Sequence, residues 1–230
     1  MRSMSKSHQI LCVWCSALGI LVLGIGYWPI ANFFPPHNPM ASADEIVAIY
    51  QQHTFNIRLG MILMQVGAAM LFPFLAVVSL QMRRIEGAQA VLADTQMLAG
   101  LINYLFLLVP AFIWTVAAFR PDRSPEITLL MNDMGWLAFI MPITPAVIQN
   151  LAIGFAVLAD KGERPVYPRW LAFFNFLASV LFIADLMITF FKTGPFAWNG
   201  LISFYVPLTV FTLWAIVMIS LTLKAVNQQQ

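Results

Sequence analysis

Six long apolar stretches dominate this chain and constrain what it can fold into. Each has roughly 20 mainly apolar residues, the length that an α-helix needs to cross the hydrocarbon core of a bilayer. Because the connections between them are too short for a separate soluble domain, the sequence predicts a single domain over residues 1–230. That domain is all-α, a polytopic transmembrane helix bundle of about six spans. The predicted spans cover about 10–31, 59–81, 97–119, 134–158, 169–191 and 199–223.

The composition supports a membrane location. Hydrophobic residues make up 60% of the chain and charged residues 10%, whereas a soluble domain is about 45–50% apolar and about 25% charged. The net charge of +2 is small, and the sequence contains no basic run. These features argue against a nucleic-acid partner. The lipid bilayer is therefore the first partner that the sequence predicts.

The distribution of Lys and Arg predicts an orientation. Cytoplasmic loops of membrane proteins carry an excess of these residues. Eight of the 12 basic residues fall on the side of the termini, so this side should be cytoplasmic. The eight are Arg2, Lys6, Arg83, Arg84, Lys161, Arg164, Arg169 and Lys224. The other four are Arg58, Arg120, Arg123 and Lys192.

The longest loop lies between the first two spans, on the predicted outer side. Its opening segment, residues 33–39, is rich in proline and cannot be helical. Ser42 and Glu45 then have the spacing of a capping box, which starts a helix. We predict a short amphipathic helix there, either an anchor at the interface or a lid over a lateral opening. Its apolar residues are Ile46, Val47, Ile49 and Tyr50.

Glycine and proline inside the spans predict close contacts and kinks. Glycines allow helix backbones to approach closely in a membrane. Such glycines occur in the first two spans, at Gly19, Gly24, Gly26, Gly60 and Gly67. Pro142 and Pro145 should kink the fourth span, and Pro110 and Pro207 could do the same in theirs.

Catalytic and metal-binding motifs are missing from the sequence. Its three histidines, His8, His37 and His53, all lie outside the predicted spans. They therefore cannot hold an intramembrane haem or a histidine-rich di-iron site. Cys12 and Cys15 have no second cysteine pair and fit two small apolar residues one helical turn apart. We predict no catalytic residues, no metal site and no cofactor.

Polar residues within the spans fall into two layers when they are placed by depth. Such residues are costly in a bilayer and should face the bundle interior. Asparagines of the inner layer could bond one another across helices, as structural links between the spans. The inner layer consists of Asn103, Gln149, Asn150 and Asn175.

The outer layer centres on Asp185, which is clearly inside the fifth span. A carboxyl at this depth needs a cation, several donors or a proton. Two readings are open, an outward-facing polar site for a ligand or a purely structural polar group. Arg58, Arg120 and Lys192 are the candidate cations. The other members of the layer are Gln65, Asn132, Asp133, Ser203 and Tyr205.

Two runs resemble segments of a family of uncharacterised polytopic proteins of the bacterial inner membrane. They are HTFNIRLGM, residues 53–61, and FKTGPFAWNG, residues 191–200. The resemblance would cover most of the chain and implies a bacterial inner membrane. It implies no activity, substrate or ligand.

Three functions fit these observations. The one that the sequence favours is a non-enzymatic accessory or assembly subunit of a larger membrane complex. The second is a small transporter or binding protein for an apolar or amphipathic, lipid-like molecule, with the 13 Met and 19 Phe residues lining an adaptable cavity. The third, an enzyme acting on a lipid or quinone, lacks a second catalytic partner for Asp185. The sequence therefore favours a protein that is not an enzyme.

Overall fold

The chain forms six apolar helical spans, as predicted. The computed structural model describes residues 6–87 and 90–229 and has no strand within them; Arg2 lies outside these ranges. We number the spans 1 to 6 in chain order. They are Lys6–Ile30, Thr54–Glu86, Val91–Phe119, Pro125–Ala159, Trp170–Thr189 and Leu201–Asn227. The chain is thus a multi-pass integral membrane protein with both termini on one side, called here the inner end.

Span 4 begins earlier than the sequence suggested. Its first helix starts at Pro125, and Pro fits the first turn of a helix because its missing N–H has no partner there. Asn132 and Asp133 therefore lie two turns inside the span rather than at its mouth. Span 2 likewise starts at Thr54, so Arg58 is helical.

The outer helix between spans 1 and 2 is also present, at Ala43–Gln52. Its capping box is complete, with Glu45 N–H donating to Ser42 Oγ and Ser42 N–H donating to the Glu45 carboxylate. The helix turns away from span 2 at His53 and buries Ile46, Val47 and Tyr50. It packs mainly on the first helix of span 4. It thereby covers the opposite end of the bundle, called here the outer end.

Most spans depart from regular α-helix. Span 2 breaks at residues 70–71, and span 4 breaks at 141–143. Span 1 ends in a π-helical turn at Gly26–Ile30, and span 6 begins with one at Leu201–Tyr205. Span 5 changes from α-helix to 3-10 helix at Ile183–Thr189. Irregular backbone at membrane depth is tolerated where it is buried in protein or lines a water-filled cavity. Single π-helical turns are also frequent at functional sites.

Proline accounts for the two breaks, since it lacks a backbone N–H and ends a preceding helix. The predicted kink of span 4 is confirmed, because the chain breaks around Pro142. Span 2 breaks before Pro73, which the sequence reading did not single out. Ser16 of span 1 donates to the carbonyl of Met70 at 2.8 Å and so satisfies one group that the break exposes. Pro110, by contrast, lies within the uninterrupted helix of span 3.

Spans 1 and 2 touch through their glycines. An alanine Cβ built at Gly67 would lie 2.5 Å from the backbone oxygen of Gly19 and 2.5 Å from the backbone nitrogen of Leu23. Gly26 and Gly60 face each other in the same way. The prediction of close helix approach is therefore confirmed at four positions. It is wrong for Gly24, which has no atom within 4 Å of its ideal Cβ and faces outward.

The inner end is held by a cluster of amides that the sequence reading did not assign. Gln81 of span 2 donates to Gln9 of span 1 at 2.8 Å and accepts from Arg84 at 2.7 Å. Gln229, after span 6, donates to both Gln9 and Gln81 at 3.1 Å. Arg84 also donates to the carbonyl of Ala225 at 2.9 Å. These bonds tie the last residues of the chain to the first two spans.

Candidate functional site

Five aromatic rings at the outer end surround the side chain of Phe33. Phe33 lies in the strap, the non-helical segment 31–42 that links span 1 to the outer helix, and it is fully buried. We call the surrounding rings the outer cage. Their centroids lie 4.6–6.3 Å from that of Phe33. The outer cage consists of Tyr27, His37, Tyr50, Trp114 and Trp136.

Asn132 connects the parts of the outer cage by hydrogen bonds. Its side-chain oxygen accepts from His37 Nδ1 at 2.9 Å and from the Tyr50 hydroxyl at 3.3 Å. Its backbone carbonyl accepts from Trp114 Nε1 at 3.4 Å. Trp198, in the loop between spans 5 and 6, donates to the backbone carbonyl of His37 at 2.7 Å. Asn132 thus fastens both the strap and the outer helix to span 4.

Three polar atoms of the outer cage have no hydrogen-bond partner, although they are buried. They are Tyr27 Oη, His37 Nε2 and Trp136 Nε1. In the described part of the chain, six buried side-chain atoms are unpartnered, so half of them belong to this one cluster. Leaving a buried polar group unpaired costs about 1–3 kcal/mol. Such groups therefore call for an explanation, such as a water or a ligand.

The charge state and the hydrogen-bonding role of the cage side chains follow from their chemistry and burial. Burial lowers the pKa of His37 and raises the pKa of Tyr50 well above its usual value, so both side chains are neutral near pH 7. Because Asn132 Oδ1 can only accept, His37 carries its proton on Nδ1 and its Nε2 is a free acceptor. The indole N–H of Trp136 is a donor, and the Tyr27 hydroxyl can donate or accept. The outer cage is therefore an apolar enclosure with a few polar atoms, as ligand sites commonly are.

Acidification should loosen the strap. The pKa of His37 is lower in the closed structure than the usual value near 6.5. An open form therefore binds more protons below about pH 6.5, and the stability of the closed form falls as the pH drops through that value. The protection factors of residues 33–42, which compare each amide with its intrinsic exchange rate at the same pH, should be lower at about pH 5 than at about pH 7.5.

The control for this prediction is His37→Gln, which keeps a donor for Asn132 but does not titrate. The protection factors of its strap should not change over that pH range. Asp133 is the acidic residue adjacent to Asn132, which donates to it at 3.5 Å. If His37→Gln still lost protection at low pH as the wild type does, the group that titrates would be a neighbour such as Asp133 and not His37.

The predicted cations of the outer layer bond elsewhere or lie at the surface. Arg58 donates to the carbonyls of Ala118 and Phe119 at 3.1 and 2.6 Å, and so caps the end of span 3. Arg120 and Lys192 are exposed. Gln65 and Tyr205 are half-buried, and the ring of Tyr205 packs against Phe34 of the strap. The structure thus brings Asn132 and Asp133 together but does not gather the whole layer around Asp185.

Asp185 is buried in the 3-10 segment of span 5 and is 3% exposed. Side chains three residues apart share a face of a 3-10 helix. Asp185 therefore lies between Ile188, which belongs to the same buried apolar cluster as Trp136, and Phe182, which belongs to the cluster nearer the inner end. Its Oδ1 is unpartnered, and in the described ranges no Lys or Arg nitrogen lies within 4.0 Å of its carboxylate. Asp185 thus joins the unpartnered groups rather than a structural ion pair.

Replacing Asp185 with asparagine should leave stability nearly unchanged, within about 0.5 kcal/mol. The reason is that no cation is left buried and unpaired, which would otherwise cost about 3–5 kcal/mol. The measurement is the melting temperature in mild detergent together with function in cells. Stability that drops by more than about 1 kcal/mol would reveal a partner for the carboxylate. A variant normal in both measurements would remove Asp185 from the functional residues.

Asn175→Ala is the matched inner-layer variant. Asn175 accepts from Trp214 Nε1 at 2.9 Å and donates to the carbonyl of Leu171 at 2.8 Å. Truncation strands the buried indole N–H, so the free energy of unfolding should fall by about 1–3 kcal/mol. Asp185→Asn and Asn175→Ala should therefore differ clearly in melting temperature.

The inner layer is not a single network. Asn103 is half-buried, whereas Gln149 and Asn150 are buried. Within the described residues, no hydrogen bond joins Asn103, Asn150 and Asn175 to one another, and Asn150 Nδ2 is unpartnered. Asn175 instead bonds Trp214 of span 6. The layer therefore contributes separate contacts between spans.

The sequence reading missed the rings of the outer cage. It placed residues by depth alone, whereas the cage depends on which face of a helix each residue occupies. Asn132 and Trp136 are four residues apart and thus share one face of span 4. Tyr50 likewise lies on the apolar face of the outer helix. The spacing of Asn132 and Trp136 and the apolar face of the outer helix could therefore have indicated part of the cage. No sequence pattern predicts that Phe33 contacts Trp114.

Comparison with known proteins finds no matching family model, curated protein or solved structure. The site must therefore be interpreted from its own geometry.

Proposed function

We propose that this chain is a non-enzymatic protein of the bacterial inner membrane that binds a small apolar or amphipathic molecule at the outer end of its bundle. The observation that carries this proposal is the concentration of unpartnered polar atoms in the outer cage. A cluster that served packing alone would be more stable with apolar groups at these positions. Retaining such groups at a cost in stability is typical of functional sites.

The strap and the outer helix would act as the cover of this site. Both are joined to the bundle by apolar packing and by the hydrogen bonds of Asn132 and Trp198. The irregular ends of spans 1 and 6 lie beside this cover, since the ring of Tyr27 contacts Phe33 and the ring of Tyr205 packs against Phe34. A molecule dissolved in the outer leaflet would enter laterally when the cover moves.

The proposed orientation has both termini in the cytoplasm. Reporter fusions should give cytoplasmic signals after Glu86 and after Gln230 and an outer-side signal after Asn38, because basic residues are concentrated at the inner end. An outer-side signal at Gln230 would overturn this orientation and place the cover on the cytoplasmic face.

The direct test is purification in mild detergent followed by native mass spectrometry. A monomer that carries a lipid-like molecule supports the proposal. A stoichiometric partner protein without a bound molecule would instead identify the chain as an accessory or assembly subunit of a larger membrane complex. A bare monomer would contradict both.

Two matched tyrosine variants tie the bound molecule to the outer cage. Tyr27→Phe removes an unpartnered hydroxyl, so the empty protein should melt at a higher temperature while retaining less of the molecule. Tyr104→Phe removes a hydroxyl from span 3 in a separate apolar cluster and should retain the molecule as the wild type does. Equal retention in the two variants would exclude the outer cage as the site.

A further inference from the structure

The outer cage is already occupied by a ring from the chain itself. Phe33 contacts all five rings of the cage, and these rings come from span 1, the strap, the outer helix, span 3 and span 4. No part of its side chain is exposed. An aromatic enclosure built by five separate segments around one ring has the shape and chemistry to hold a planar six-membered ring.

Phe33 is attached to the strap and not to a helix. The preceding residue, Asn32, has a positive φ of 58°, which lets the chain turn sharply out of span 1. Within the strap, Phe33 N–H donates to the carbonyl of Tyr27 at 3.1 Å, and His37 holds the segment to Asn132 and Trp198. Because no helix fixes Phe33, movement of the first residues of the strap could withdraw its ring from the cage while His37 stays bonded to Asn132 and Trp198.

The phenyl ring of Phe33 leaves the polar atoms of the cage unused, since it can neither donate nor accept a conventional hydrogen bond. His37 Nε2 needs a donor and Trp136 Nε1 needs an acceptor. The rings of these two residues have centroids 5.6 Å apart. A hydroxyl is the smallest group that is both a donor and an acceptor. A ring that carries a hydroxyl would thus match the cage better than Phe33 does.

Charge narrows the class of ligand further. The cage residues include no Lys or Arg, and Arg58, which lies at this end, is committed to the carbonyls of span 3. An anionic group such as a carboxylate or phosphate would lose its hydration there without gaining a cation. An ether or a plain hydrocarbon ring would leave His37 Nε2 unpaired, as Phe33 does.

We propose that the outer cage binds an uncharged, hydroxyl-bearing ring compound of the alkylphenol class, whose ring takes the place of the Phe33 ring. This inference rests on the proposed function. The hydroxyl donates to His37 Nε2 and accepts from Trp136 Nε1 or Tyr27 Oη. The alkyl chain leaves the cage toward the lipid. The displaced Phe33 moves out with the first residues of the strap, while His37 stays bonded to Asn132 and Trp198.

The test uses Phe33→Ala, which empties the cage, in lipid nanodiscs. The probes are 4-octylphenol, 4-octylanisole and octylbenzene, whose rings carry a hydroxyl, a methyl ether and no polar group. Binding is measured by quenching of tryptophan fluorescence and by the rise in melting temperature. Octylphenol should bind about tenfold more tightly than octylanisole, the effect of about one additional hydrogen bond. It should also bind Phe33→Ala more tightly than wild type, which must first displace its own ring.

The specificity must come from the cage atoms. Adding His37→Phe to Phe33→Ala should abolish the preference, because donation to His37 Nε2 is the bond that the ether cannot make. Octylphenol and octylanisole should then bind within about twofold of each other. Equal binding of octylbenzene and octylphenol to Phe33→Ala itself would overturn the inference. It would mean that the change merely creates an apolar hole, which accepts any ring of suitable size.

A second measurement does not depend on folding of the alanine variant. Phe33 is replaced by 4-fluorophenylalanine in the otherwise wild-type chain, and its 19F resonance is followed during titration with 4-octylphenol. Displacement from the cage should produce a new resonance, which octylbenzene at the same concentration does not produce. An unshifted resonance at saturating octylphenol would overturn the inference. A lipid-like molecule retained by the purified protein, but without hydroxyl preference, would defeat this inference and leave the proposed function standing.

Discussion

Replacing Gly67 with leucine is expected to lower the free energy of unfolding by about 3 kcal/mol or more. A Cβ at this position would overlap the backbone of span 1, at the oxygen of Gly19 and the nitrogen of Leu23. Backbone atoms within a helix cannot rotate away as a side-chain end can. Spans 1 and 2 must therefore separate along this contact, which loses the packing between them.

Gly24→Leu is the matched control. Gly24 lies in the same helix as Gly19 but has no atom within 4 Å of its ideal Cβ. Leucine there meets open space, and removing a glycine from a helix interior should stabilise it by about 0.5–1 kcal/mol. The measurement is the melting temperature in mild detergent, with Gly67→Leu falling and Gly24→Leu unchanged or rising. Equal melting temperatures would show that the glycine contact does not hold these spans together.

Asn132→Ala is expected to cost about 2–5 kcal/mol, because it removes the acceptor of two buried donors. His37 Nδ1–H and the Tyr50 hydroxyl both lose their partner, and burial prevents water from replacing it easily. Besides lowering the free energy of unfolding, the change should loosen the segments that Asn132 holds. Hydrogen exchange should accelerate in the strap and in the outer helix, since Asn132 fastens both to span 4.

Asn103→Ala provides the control for this prediction. Asn103 has the same side chain and also lies within a span, but it is half-buried and its side chain makes no hydrogen bond within the described residues. Its removal should change the free energy of unfolding by no more than about 0.5 kcal/mol. If the two asparagines had equal effects, or if exchange in residues 31–52 were unaffected by Asn132→Ala, Asn132 would not be the fastening point of the cover.

These predictions separate packing from the proposed binding role. The glycine contact and the Asn132 bonds stabilise the fold, so their loss lowers stability and function together. Tyr27 and Trp136 are different, because each holds a buried polar atom that stabilises nothing in the empty protein. We expect Tyr27→Phe to raise the melting temperature of the ligand-free protein and to weaken binding of the lipid-like molecule. A change of opposite sign in the two measurements is the signature of a site rather than of a structural contact.

Six spans, the outer helix and the contact of the first two spans were all predictable from the amino-acid sequence. Spans follow from apolar length, because every backbone polar group in a bilayer must be bonded within its own helix. The outer helix follows from the local capping box of Ser42 and Glu45, which needs no distant partner. The glycine contact followed from residue size, although the sequence could not tell that Gly24 faces outward.

Which polar residues meet could not be predicted, because it depends on how the spans pack against one another. Depth along the spans placed Asp185 and Asn132 in one layer, but Asn132 bonds the strap and outer helix, while Asp185 stays unpartnered between two apolar clusters. Helix rotation and the path of the strap fix these contacts, and an apolar sequence in lipid has little amphipathic pattern to reveal either. For the same reason, Phe33 was one of 19 phenylalanines in the sequence and became the centre of the site only when five segments packed around it.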